Sequence, residues 1–143
     1  MNKKGFTLIE LLVVIAVLGI LASVVLVAIN PTKRMQEARG AGKKNDVGQV
    51  ALAVEACYTK NEGVYGGTGK IDCSDESATG ALYTNGFLKR VPSGVTVCDI
   101  AGGEVMVYAT LEATGNYWVY LSSTGASSET TTATLPATCT AGS

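Results

Sequence analysis

The chain has 143 residues, a formal net charge of -1, four cysteines and no histidine. Its length suits one domain rather than two. The near-neutral charge argues against nucleic acid as a direct, specific ligand. The lack of histidine excludes histidine general bases, Cys–His dyads, Ser–His–Asp triads and histidine-rich metal sites.

At the front, Lys3 and Lys4 precede Gly5, and the run from Phe6 to Ile29 is apolar with a single charge, Glu10. At about 1.5 Å rise per residue this run spans roughly 36 Å as a helix, enough to cross a hydrocarbon core of about 30 Å. It is too long for the apolar part of an ordinary secretory signal, and no A-x-A site closely follows it. A plain membrane anchor fits the length, with Glu10 reaching to the membrane surface. Yet a carboxylate at the centre of a membrane helix costs about 2.5–3.5 kcal/mol, and an intramembrane acid therefore points to a partner and a function.

The string Lys3-Lys4-Gly5-Phe6-Thr7-Leu8-Ile9-Glu10-Leu11-Leu12 resembles the class III leader of type IV pilins and pseudopilins. The resemblance covers the leader and the apolar helix; the rest matches the family in layout only. It implies that prepilin peptidase cuts between Gly5 and Phe6 and that Phe6 becomes the N-methylated first residue. It also implies that Glu10 of an incoming subunit pairs with the Phe6 amine of one already in the filament. The physics agrees: cutting frees a cationic amine one helical turn from Glu10, and unlike charges attract strongly in a low dielectric.

The fold implied is α+β, a pilin-like ladle in which a long N-terminal transmembrane helix packs on a small antiparallel β-sheet. The domains would be a leader at 1–5, a transmembrane and filament-core helix at 6–30, and a secreted head at 31–143. The implied partners are other copies of the chain, prepilin peptidase, an inner-membrane assembly platform, and membrane lipid before assembly. The subunit would sit in the cytoplasmic membrane with its N-terminus inside, then move to an extracellular pilus. No enzymatic activity and no cofactor are expected. A pseudopilin of a type II secretion system shares the same front end, although many such pseudopilins lack a C-terminal disulfide. A membrane-anchored adhesion domain that never polymerises would keep its leader uncut.

Charge placement holds one conflict. Lys3 and Lys4 put the leader in the cytoplasm by the positive-inside rule, yet Lys33, Arg34, Arg39, Lys43 and Lys44 lie just beyond the anchor. The leader motif and the cysteines outweigh the count. The basic cluster is expected at anionic headgroups, against acidic neighbours, or on a solvated helix face. Along the anchor, Ala16, Gly19, Ala22, Ser23 and Ala28 permit close helix approach, and equally fit ordinary membrane-helix composition.

Asn30-Pro31 interrupts the apolar run, so the helix either kinks there or restarts with Asn30 as its cap, and the resemblance implies a kinked or locally melted single long helix. Helix is expected from about residue 6 to 60. Val47, Val50, Ala51, Val54, Cys57 and Tyr58 fall on one face, and Asn45, Gln49 and Glu55 lie opposite. Glycines from Gly63 to Gly80 mark a loop over 61–94, with a short packed turn at Tyr83, Phe87 and Leu88. Asp72, Asp75 and Glu76 within it read as a solvated acidic loop, with calcium as a minor alternative.

Strands are expected at Val95–Ile100, Glu104–Leu111 and Tyr117–Ser122, with Val105, Val107, Ala109 and Leu111 on one face of the second. Trp118 and Tyr120 should pack against the helix rather than form a binding platform. The segment from Ser122 to Thr132 reads as an exposed loop, and Thr130 to Thr134 as an edge strand. Cys57, Cys73, Cys98 and Cys139 include no C-x-x-C pair, which favours two disulfides over zinc. Of the three possible connectivities, sequence-adjacent pairing, Cys57–Cys73 and Cys98–Cys139, is favoured.

Overall fold

The computed structural model describes residues 5–66, 68–74, 80–90, 92–100 and 103–131. Lys3, Lys4, Asp75, Glu76, Cys139 and the 132–134 part of the expected edge strand lie outside these residues. The arrangement is α+β: a long N-terminal helical region followed by a four-stranded antiparallel sheet. The chain divides into two compact units, Met1–Met35 and Gln36–Ser143.

Helix α1 (Leu8–Ile29) ends at Asn30, which adopts a left-handed backbone at φ 45° and ψ 79°. Asparagine tolerates that region better than most residues. Helix α2 (Pro31–Lys60) starts at the next residue. Proline suits a first helical position because its missing N–H would have no partner there. The Asn30 side chain accepts the Lys33 N–H at 3.3 Å, so the residue that closes α1 also caps α2. Of the two expected outcomes, the restart is the one observed.

In the second unit, α2 buries Val47, Val50, Ala51, Val54 and Cys57 of the face expected from their spacing, while Tyr58 at its end is only half-buried. The loop after it contains a short helix, α3 (Ala81–Thr84). There Leu82 and Leu88 are buried, whereas Tyr83 points outward and Phe87 is half-buried. Within the expected packed turn, the compact aliphatic side chains fill the core and the aromatic rings border it.

The sheet runs β1 (Val95–Ile100), β2 (Glu104–Thr110), β3 (Tyr117–Leu121) and β4 (Ala126–Thr130), in spatial order β1-β2-β3-β4. Each strand pairs antiparallel with the next, for example Val97 with Val107 and Val107 with Tyr120. Alternation sends Val105, Val107 and Ala109 into the core with α2, joined by Trp118 and Tyr120. A second cluster holds Met106, Tyr108 and Val119, with Cys98, Ile100, Tyr117 and Leu121 around it.

Strand β4 corrects one expectation. The edge strand lies earlier than the expected Thr130–Thr134: Ala126–Thr130, within the expected loop except for the shared Thr130, pair with β3 from Leu121–Ala126 to Tyr117–Thr130. The segment is exposed almost throughout, so it shows no apolar alternation. Backbone hydrogen bonding to β3 makes it a strand, and a polar composition does not forbid that.

Candidate functional site

Gly5, Phe6 and Thr7 precede the first helix and are exposed. Phe6 is 91% exposed. The Gly5–Phe6 peptide bond thus lies outside regular structure, where chains are open to proteolytic cleavage. Thr7 is the N-cap of α1, with an extended backbone at φ -82° and ψ 151°.

Glu10 sits three residues on and completes a capping box. Its Oε2 accepts the Thr7 backbone N–H and the Thr7 hydroxyl, each at 2.9 Å. In return the Thr7 hydroxyl oxygen accepts the Glu10 N–H at 3.3 Å. A carboxylate in the first turn also faces the positive end of the helix dipole. Beyond it, α1 carries no charge and buries no residue. Among the described residues it is the one helix long and apolar enough to cross a membrane, with a mean hydropathy of 3.2.

Comparison with known proteins bears on this same segment. Residues 1–26 match the family profile described as the prokaryotic N-terminal methylation motif. The chain carries a class III prepilin leader. This leader belongs to type IV pilins and pseudopilins, and it places Gly5, Phe6 and Glu10 inside the matched stretch. No curated protein and no solved structure matches the chain.

Away from the prepilin leader, the head is fastened at its helix–loop junction. Cys57 at the end of α2 and Cys73 in the following loop form a disulfide, and both are buried. Beside it Asn61, only 4% exposed, donates to the Ile71 carbonyl at 2.6 Å and accepts the Ile71 N–H at 3.1 Å. Those bonds satisfy a buried amide that would otherwise be costly. Cys98 is also disulfide-bonded; its expected partner, Cys139, is outside the described residues.

Glu55, expected on the outer side of α2, is half-buried and faces the sheet. Its Oε1 accepts the hydroxyls of Tyr65 and Tyr120, both at 2.9 Å, linking α2 to the loop and to β3. Burial, and secondly the Glu55 carboxylate, push the Tyr120 phenol up to about 12. Tyr65 is raised as well, again chiefly by burial. At the far end of the sheet, hydrogen bonds from Asn116 and Thr114 hold Glu129 below its usual value.

The basic cluster is partly absorbed by the head. Arg39 pairs with Glu112 at 3.2 Å, Lys43 donates to the Ser93 carbonyl, and Lys44 lies 4.3 Å above the Trp118 ring. These contacts account for three of the five cations that conflicted with the positive-inside reading. The Asp72 carboxylate accepts from Ser74 N–H and hydroxyl, an ordinary loop turn.

Two functional details escaped the sequence reading. The Thr7–Glu10 capping box was signalled by its T-x-x-E spacing. The Tyr65–Glu55–Tyr120 bridge had no such signal, because its members come from three separate elements.

Proposed function

We propose that the chain is a structural, non-catalytic subunit of a type IV pilus. Prepilin peptidase removes residues 1–5, Phe6 is methylated, and the subunit waits in the cytoplasmic membrane with its leader side inside. An assembly platform then transfers it into a helical filament whose contacts are head-to-tail and do not close. The supporting observation is α1 itself: an entirely exposed apolar helix behind a prepilin leader, with its sole carboxylate in the first turn. A helix apolar on every side needs cover on every side. Lipid supplies that cover before assembly, and neighbouring copies of α1 supply it afterwards. Within the filament Glu10 pairs with the Phe6 amine of an adjacent subunit.

Cys98 is in a second disulfide; with Cys139 as its expected partner this would be a C-terminal disulfide, which supports a pilus over a secretion pseudopilin, since many pseudopilins lack one there. Intact-mass analysis of the mature protein tests the processing steps. We expect loss of residues 1–5, one added methyl group and two disulfides. Electron microscopy with mass spectrometry of surface filaments tests the assembly. A polypeptide that still begins at Met1 and stays monomeric in the membrane would overturn the proposal, as would a Glu10→Ala variant that assembles at wild-type efficiency.

A further inference from the structure

We infer that Thr7 is a positioning residue for the assembly carboxylate: it holds the Glu10 side chain against its own helix start and leaves one carboxylate oxygen free for a neighbour's ammonium. This rests on the assembly reading above. The geometry is asymmetric. Oε2 of Glu10 takes both Thr7 donors, at 2.9 Å each, while Oε1 has no hydrogen-bond partner among the described residues. A carboxylate has about four lone-pair sites over its two oxygens, so a half-satisfied one still accepts strongly.

Two consequences follow from the chemistry. In an apolar surrounding an unsolvated carboxylate is costly, and charge-assisted hydrogen bonds from a hydroxyl and an amide offset part of that cost. Thr7 supplies both donors from within the subunit, so part of that cost is already offset while Glu10 waits for its partner. In addition, a free glutamate side chain explores several rotamers, and fixing it before pairing lowers the entropy lost on pairing. The Thr7 hydroxyl is held in turn by the Glu10 N–H, so the carboxylate is locked in one orientation. The incoming ammonium then meets a preset acceptor.

The experiment measures the assembled fraction of cleaved subunits for Thr7→Ser, Thr7→Val, Thr7→Asp and Glu10→Ala, with the cleaved pool quantified by intact mass. Serine keeps the hydroxyl and should match wild type. Valine removes it and should lower the assembled fraction about tenfold, roughly the effect of one lost hydrogen bond to a charge. Aspartate separates positioning from capping. It caps helices as well as serine does, but as an anion it cannot donate to Glu10 and repels it. We expect the same loss as for valine, with helix content by circular dichroism unchanged.

An aspartate variant that assembles like wild type would mean that Thr7 merely starts the helix. A valine variant at wild-type level would mean that Glu10 needs no positioning. If Glu10→Ala fails while Thr7→Val does not, the positioning idea alone is lost. If Glu10→Ala also assembles normally, the assembly reading goes with it. For a variant that escapes cleavage, the carboxyl 13C resonance of Glu10 in the bilayer-embedded precursor is the readout. It should move on Thr7→Val and stay on Thr7→Ser; an unmoved resonance in the valine variant overturns the inference.

Discussion

Helices α1 and α2 follow one another in the chain and use their residues in opposite ways. α1 is apolar almost throughout and buries nothing. α2 is on average polar, yet it buries Gly40, Val47, Val50, Ala51, Ala53, Val54 and Cys57. The less apolar helix is the one inside the fold. Hydrophobicity alone therefore does not decide where a helix goes. A helix with one apolar stripe finds its cover within the chain, whereas a helix apolar on all sides must find cover outside it.

The largest test of this contrast places a charge in each helix of the full chain in detergent. Val54→Asp buries an unpaired carboxylate at a fully enclosed site, and should destabilise the head by about 4 kcal/mol or more. Leu18→Asp on α1 should leave the head's Tm unchanged and weaken membrane insertion by roughly 2.5–3.5 kcal/mol. Near-UV circular dichroism and membrane extraction report the two effects. The contrast breaks if Leu18→Asp melts the head as Val54→Asp does.

Next in size is the Cys57–Cys73 disulfide, which spans a sequence separation of 16. Replacing both cysteines with serine should cost the head about 3 kcal/mol in chemical denaturation, with membrane insertion of α1 untouched. An equal loss in insertion would show that the staple does more than hold the head.

Smaller again is the bridge through Glu55. Tyr120→Phe removes one hydrogen bond to a charged group and should cost about 1.5 kcal/mol. It should also change the alkaline limit of the head. The Tyr120 phenol is raised to about 12 in the folded state, against about 10 for a free tyrosine. Its contribution is thus intact below about pH 10 and is lost as pH rises toward about 12. Head Tm should fall across that window, less steeply in Tyr120→Phe. Identical pH profiles would remove Tyr120 as a source of the fall.

The smallest effect belongs to the surface. Arg39 and Glu112 are both well exposed, and Glu112→Ala should shift head stability by no more than about 0.5 kcal/mol. A loss several times larger would mean that this pair does more than a solvated ion pair can.

Much of this arrangement was legible in the residues themselves. The leader string, the length of the apolar run and the lone Glu10 identified the N-terminal segment, because covalent order and local spacing carry that signal. The i, i+3, i+4 spacing from Val47 to Cys57 located the buried face of α2, and the alternation in Glu104–Leu111 located the face of β2 that packs with α2. Pro31 marked the break between helices, although only the backbone at Asn30 showed that one residue serves both ends.

What required the tertiary structure were partnerships between distant residues. Glu55 looked like an outward polar residue until Tyr65 and Tyr120 converged on it. Lys43 and Lys44 fitted anionic headgroups, acidic neighbours or a solvated helix face equally until Ser93 and Trp118 met them. β4 looked like a loop because its side chains carry no apolar pattern, and strand pairing is a property of two backbones rather than one. Local periodicity and covalent order are written along the chain; pairings across long separations exist only once folding has brought their partners together.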